Sequence, residues 1–259
     1  MSTPAPPTTM RERAPLLVRP GLTWWFGLAL AITSISSFLA WRVEAVSWPM
    51  HALVSCPCLY FLCICVHDGV HGVLLRRRQL GDAGAWLLSL VIGLPFPLLK
   101  HAHLKHHRRV GHADDPEAAV YRASPFTLAL RLPIIPLLYL RSLRDMRSGA
   151  VVLTAAHLTL VTTTMGWLGA PGVLGWGAPA LLAIAWFGFT TVYVPHGPFA
   201  RPLMAWLGAH SGWHDDHHRD PRFPFHQYAA VRAFHLDHDL GTQGCRRADP
   251  LVFALSRSI

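Results

Sequence analysis

Long uncharged apolar runs alternate with short polar stretches along this chain. Leu22–Ala40 carries no charge and is about long enough to cross a bilayer. A tight turn at Arg42-Val43-Glu44 leads to a second apolar run, Trp48–Val66, which stops at His67. A third, Ala83–Leu99, contains Gly93, Pro95 and Pro97, which weaken a continuous helix. Leu128–Leu140 is interrupted by Arg131, Pro133 and Pro136 and followed by Arg141, Arg144 and Arg147, the pattern of a helix lying in the interface. Val151–Leu168 and Ala178–Val194 are two further apolar runs, joined by an uncharged turn from Gly169 to Gly177. The pattern predicts an all-α membrane protein. Its four transmembrane helices cover 22–40, 48–66, 151–168 and 178–194, with interfacial helices and a histidine-rich cap beside them. Residues 1–20, rich in Pro and carrying Arg11, Arg13 and Arg19, read as a flexible basic arm, and 21–259 as a single domain.

Composition agrees. Of 259 residues, 52% are hydrophobic and 14% charged, where a soluble domain carries about a quarter charged. The formal charge of +9 raises the question of nucleic acid, but the basic residues flank apolar runs, as membrane orientation requires. No nucleic-acid partner is expected. Of 23 Lys and Arg, only Arg42 falls in a loop on the far side of a four-span chain. The positive-inside rule therefore predicts a multi-pass integral membrane protein with both termini and the histidine cap in the cytoplasm. Cys56, Cys58, Cys63 and Cys65 lie inside an apolar run and read as small packers, and Cys245 stands alone, so no disulfide framework is expected.

The chemistry is in three histidine clusters. His214, His217 and His218 stand at i, i+3 and i+4 of a helical turn, and His103, His106 and His107 repeat that spacing. His67 and His71 form an i, i+4 pair. All three clusters can share one site only if Ala83–Leu99 does not cross the bilayer, so that segment is expected to be re-entrant or interfacial. One tetrahedral zinc takes four ligands, so eight or nine nitrogens suit two ions of higher coordination number, which favours iron. Asp68, Asp114, Asp215 and Asp216 are the expected carboxylates that orient the imidazoles from behind. His51 and His157, alone inside spans, read as packed residues, and His101, His112, His226, His235 and His238 as solvated interfacial ones. A zinc hydrolase would need a motif such as His-Glu-x-x-His, which is absent, and a metal transporter would need polar residues within several spans.

The three clusters match, in order and spacing, the boxes of the membrane fatty-acid desaturase and hydroxylase superfamily, which the chain resembles from roughly Trp48 to Tyr228. The resemblance implies a four-span bundle, a non-haem centre of two Fe ions, O2 as co-substrate, and electrons from a separate donor of ferredoxin or cytochrome b5 type. It also implies a further ligand just after the fourth span, which falls on His196, with His210 as competitor. The implied reaction is desaturation or hydroxylation of a C–H bond in a long fatty-acyl or lipid substrate. A carotenoid ketolase or hydroxylase is the alternative. His67-Asp68-Gly69-Val70-His71-Gly72, Lys100-His101 before the second box with Asp114-Asp115-Pro116-Glu117 behind it, and Val194-Pro195-His196 are similar to the β-carotene ketolase branch. The His196-to-His214 gap and the tail Phe223-Pro224-Phe225-His226-Gln227-Tyr228 depart from it. Trp86, Phe96, Trp186, Phe187 and Phe189 are candidate walls of a substrate channel.

Overall fold

The computed structural model describes residues 21–196, 214–219, 221–228 and 231, excluding the side chains of Asp215, Asp216 and Arg219. The basic arm, His210, His235, His238 and Cys245 lie outside the described residues. Every regular element among the described residues is helical.

Helix α1 spans Leu22–Arg42 and α2 spans Trp48–Val70. They run antiparallel: the hydroxyl of Thr23 donates to Asp68 at one end, and Ser37 bonds His51 near the other. The second half of α2 is buried almost without interruption from Leu59 to Val70, which is why its sequence is apolar all round rather than striped. Cys63 and Cys65 are among those buried packers.

Helices α3 (Arg78–Ile92) and α4 (Phe96–Arg109) meet at a 107° bend. Gly93 makes the bend, capping α3 at φ 77°, a conformation that disfavours any residue with a Cβ. Pro97 sits in the first turn of α4, where a missing N–H costs nothing, so the prolines start a helix here rather than weaken one. Asp82 and Lys100 pair at 2.6 Å and tie the arms together on the side away from the bend. The segment turns back instead of continuing as one crossing, and its returning arm carries His103, His106 and His107.

After the short helix α5 (Ala118–Tyr121), a run of α and 3-10 turns, α6, covers Pro125–Asp145. It is longer than the 128–140 read from the sequence, and by length and apolarity alone it would reach across a membrane. Its bonds show how it is laid. Arg131 donates to the Ala119 carbonyl, the Tyr139 hydroxyl to Glu117, and Lys105 pairs with Asp145. Three points along α6 thus touch the histidine end of the bundle, so it lies across that end.

The remaining helical run, Ser148–His196, is 49 residues long and contains α7 (Ser148–Gly172) and α8 (Ala178–Gly188). Its start adjoins Asp145 at the histidine end, and its finish places His196 against His106. Its middle is at the opposite end, where Trp48 donates to the Leu174 carbonyl and His51 bonds that of Gly175. The run therefore crosses twice. The break is confined to Gly169 (φ 64°, ψ −155°), and the rest of the stretch expected to be a turn is helical. Among the described residues, α1, α2, α7 and the run through α8 to His196 thus pass along the length of the bundle.

Candidate metal centre

The nine predicted histidines converge at one end of the bundle. They form two groups whose ring nitrogens lie within 4.8 Å of one another: His67, His71, His103, His107 and His217, and His106, His196, His214 and His218. The second and third boxes each divide between them, while His67 and His71 both belong to the first group. On α4, the i, i+4 pair His103 and His107 faces the first group while His106 faces the second. On α9 (His214–Arg219), the i, i+4 pair His214 and His218 belongs to the second group while His217 belongs to the first. The two groups are in contact, with the rings of His107 and His218 stacked 4.1 Å apart.

Local sequence makes this convergence possible. Gly69 lies between His67 and His71, and a Cβ there would come within 2.4 Å of Ala85, so glycine lets α3 close on the last turn of α2. A π-helical turn, Phe189–Tyr193, precedes His196, and such a turn rotates the residues after it relative to a regular helix.

The donor set fits metal ions. Nε2 atoms face one another in two chains: His67 to His103 at 2.9 Å, His103 to His107 at 3.0 Å and His107 to His217 at 3.1 Å. The second chain is His106 to His196 at 3.1 Å, His196 to His214 at 2.8 Å and His214 to His218 at 2.9 Å. His103 and His106 spend their Nδ1–H on carboxylates, Glu117 at 2.9 Å and Asp115 at 3.0 and 3.1 Å, which leaves each Nε2 a bare lone pair. One in-plane lone pair of His103 cannot satisfy two neighbouring rings at once. A cation at the centre of each group would satisfy all of them.

Electrostatics keep His103, His107 and His218 in ligand form, whereas for His106 burial is outweighed by the charges of Glu117 and Asp115, which raise it above its ordinary value. Burial, then the charges that His107, His106 and His196 would carry, hold His218 down to about 2, so it stays neutral. Burial pushes Asp115 up, but the bond and charge of His106, the Glu117 N–H and the Tyr121 hydroxyl outweigh it, and the carboxyl lies below its ordinary range. Glu117 goes the other way: burial raises it, and the attraction of His106 offsets only part of that rise.

Asp68 does not play the orienting part expected of it. Asp68 accepts from Thr23 and from the Phe225 backbone N–H, tying α1 and the C-terminal segment to α2 instead of holding a ring. The side chains of Asp215 and Asp216 lie outside the described residues. The partners seen are Asp115, Glu117 and Tyr228, whose hydroxyl is 2.5 Å from His217 Nδ1. Tyr228→Phe is expected to lower metal affinity about 10–100-fold while leaving the fold intact, measured by competition with a chelator.

Of the five candidate wall residues, Phe187 reaches the site, its ring 6.0 Å from that of His67. Phe96 packs beneath Lys100, Trp86 meets the ring of His157, and Trp186 is partly exposed beside Phe189. An apolar cavity of about 390 Å³ is lined elsewhere, by Phe38, Val91, Leu160, Thr164 and Trp176 among others. His51 and His157 are buried, as expected of packed residues.

The model of the fatty acid desaturase family matches residues 46–247, most of the chain and all three boxes. The chain belongs to the fatty acid desaturase family. Its similarity to a β-carotene ketolase of Paracoccus sp. (strain PC1) extends over 250 residues at 26% identity, covering 83% of this chain and 93% of the relative. Δ12 fatty acid desaturases of Mortierella isabellina and Mortierella alpina are 25% identical over 91 residues, 35% of this chain and 23% of theirs. With this family membership and its apolar helices, the chain is an integral membrane oxidoreductase of the desaturase and hydroxylase type.

Proposed function

We propose that the two histidine groups hold two non-haem iron ions, five rings around one and four around the other. The observation that carries this reading is the division of nine imidazoles into two touching groups whose Nε2 atoms face inward. When bound there, the ions supply O2 activation, with electrons from a separate ferredoxin- or cytochrome b5-type donor, to attack an unactivated C–H bond. The chain's own residues set the geometry. Glu117, Asp115 and Tyr228 fix the tautomers and ring orientations of His103, His106 and His217. Helix α6, laid across the histidine end, and Phe187 beside His67 shield the site from water.

For substrate, the likeness to a β-carotene ketolase over nearly its whole length favours a carotenoid over an acyl chain. Converting a ring CH2 to a ketone takes two successive hydroxylations of one carbon and loss of water. Acyl desaturation is the second reading, supported by a match to the Δ12 desaturases over a shorter stretch. Expression in a host that accumulates β-carotene, with mass spectrometry of the lipid extract, tests both. The proposed product gains an oxygen and loses two hydrogens relative to β-carotene. A new acyl double bond with unchanged carotenoid would decide for desaturation.

The far-side placement of Arg42 alone among 23 Lys and Arg supports cytoplasmic termini and a cytoplasmic histidine cap. Reporter fusions after residue 120 and at the C-terminus are expected to report the cytoplasm, and a fusion after residue 44 the opposite side. An external signal at residue 120 would overturn this orientation.

A further inference from the structure

Glu117 stands just before α5 and is 1% exposed. Its Oε1 accepts two hydrogen bonds, from His103 Nδ1–H at 2.9 Å and from the Tyr139 hydroxyl at 3.0 Å. Its Oε2 is buried with no hydrogen-bond partner and lies 3.5 Å from His106 Nε2, the nitrogen that His106 presents to the four-histidine group. In the neutral form that a metal ligand takes, His106 keeps its one proton on Nδ1 for Asp115 and offers that oxygen no donor. In that form two acceptors face each other in a buried pocket. Such an arrangement is repulsive unless a cation lies between them.

We propose that Glu117 Oε2 is a fifth donor to the ion of the four-histidine group. The inference rests on reading the two groups as metal sites. It makes the ions chemically unequal, one held by five nitrogens and the other by four nitrogens and a carboxylate oxygen. It also joins them, since the same carboxylate holds His103 of the first group through Oε1. A harder oxygen donor on one ion alone gives that ion a different ligand field and a different affinity.

The test uses the full chain in nanodiscs, stripped of metal and reloaded with ferrous iron without O2. The sequence contains three glutamates, Glu12, Glu44 and Glu117, so 13C-glutamate labelling gives a nearly selective infrared probe. In the wild type, two ions are expected to bind, and loading should shift the labelled carboxylate stretches as coordination does. Glu117→Gln keeps an oxygen acceptor for His103 and Tyr139 but loses the anionic donor. It is expected to retain the five-histidine ion and to bind the other at least about 10–100-fold more weakly, a loss typical even of residues that only support a ligand. Two ions bound by the Gln variant at wild-type affinity, with no labelled shift in the wild type, would overturn the assignment and leave the two-ion reading standing. A wild type that binds fewer than two ions would overturn both. Should the Gln variant fail to fold, the labelled wild-type spectrum decides alone.

Discussion

His107→Ala is expected to abolish turnover and to lower the metal bound in both groups, while the chain still inserts in the membrane. His107 is a junction: its Nε2 faces those of His103 and His217, and its ring stacks on His218 of the other group. Removing it opens the first group and withdraws a wall of the second. Insertion survives because α1 and α2 carry their own apolar signal, with mean hydropathies of 1.5 and 1.8. His196→Ala is expected to lose activity as completely, because His196 links His106 to His214 in the four-ring group. His210→Ala is expected to be milder. Metal analysis and product formation on purified variants check this ranking. Substantial turnover by His107→Ala or His196→Ala would show that the groups do not act as metal centres.

Stripping the metal is the second large perturbation. Chelation is expected to raise hydrogen exchange across residues 103–121 and 214–228 while leaving α1 and α2 protected. Without cations, the facing lone pairs repel, and the rings lose the interaction that outweighs the ordering of segments from distant parts of the chain. The metal-depleted protein should also become acid-sensitive. Unfolded, His218 takes a proton at its ordinary value of about 6.5; folded, it does so only at about 2. The unfolded state therefore binds more protons in between. Stability is fully present above 6.5 and is lost as pH falls from there toward 2. Melting curves of stripped protein between pH 7.5 and 5 read the effect, and a flat profile would contradict it.

Much of this arrangement is visible in the residue order because helical spacing is local. His103, His106 and His107 declare one face of a turn, and the apolar runs declare their own lengths. The division of the second and third boxes between two groups is not visible, since it depends on which neighbours approach from either side of α4 and α9. The misplaced role of Asp68 has a simple origin. A residue next to His67 in a helix is rotated about 100° from it and points elsewhere. Asp115, Glu117 and Tyr228 lie beyond helix ends, where no period ties them to the rings they hold. The length of α6 was obscured by Pro133 and Pro136, which the chain accommodates by a 3-10 turn at Pro133 and by starting a fresh α turn at Pro136 rather than stopping.

The sharing of the boxes also sets an order of biosynthesis. Once the ribosome has released residue 109, four of the five rings of the first group exist, and only His106 of the second. On the two-iron reading, the nascent chain can capture its first ion at that stage. The second must await His196 and the turn bearing His214 and His218, about a hundred residues later. A chain cut short before His196 would therefore hold four of the five rings of the first group and a single ring of the second.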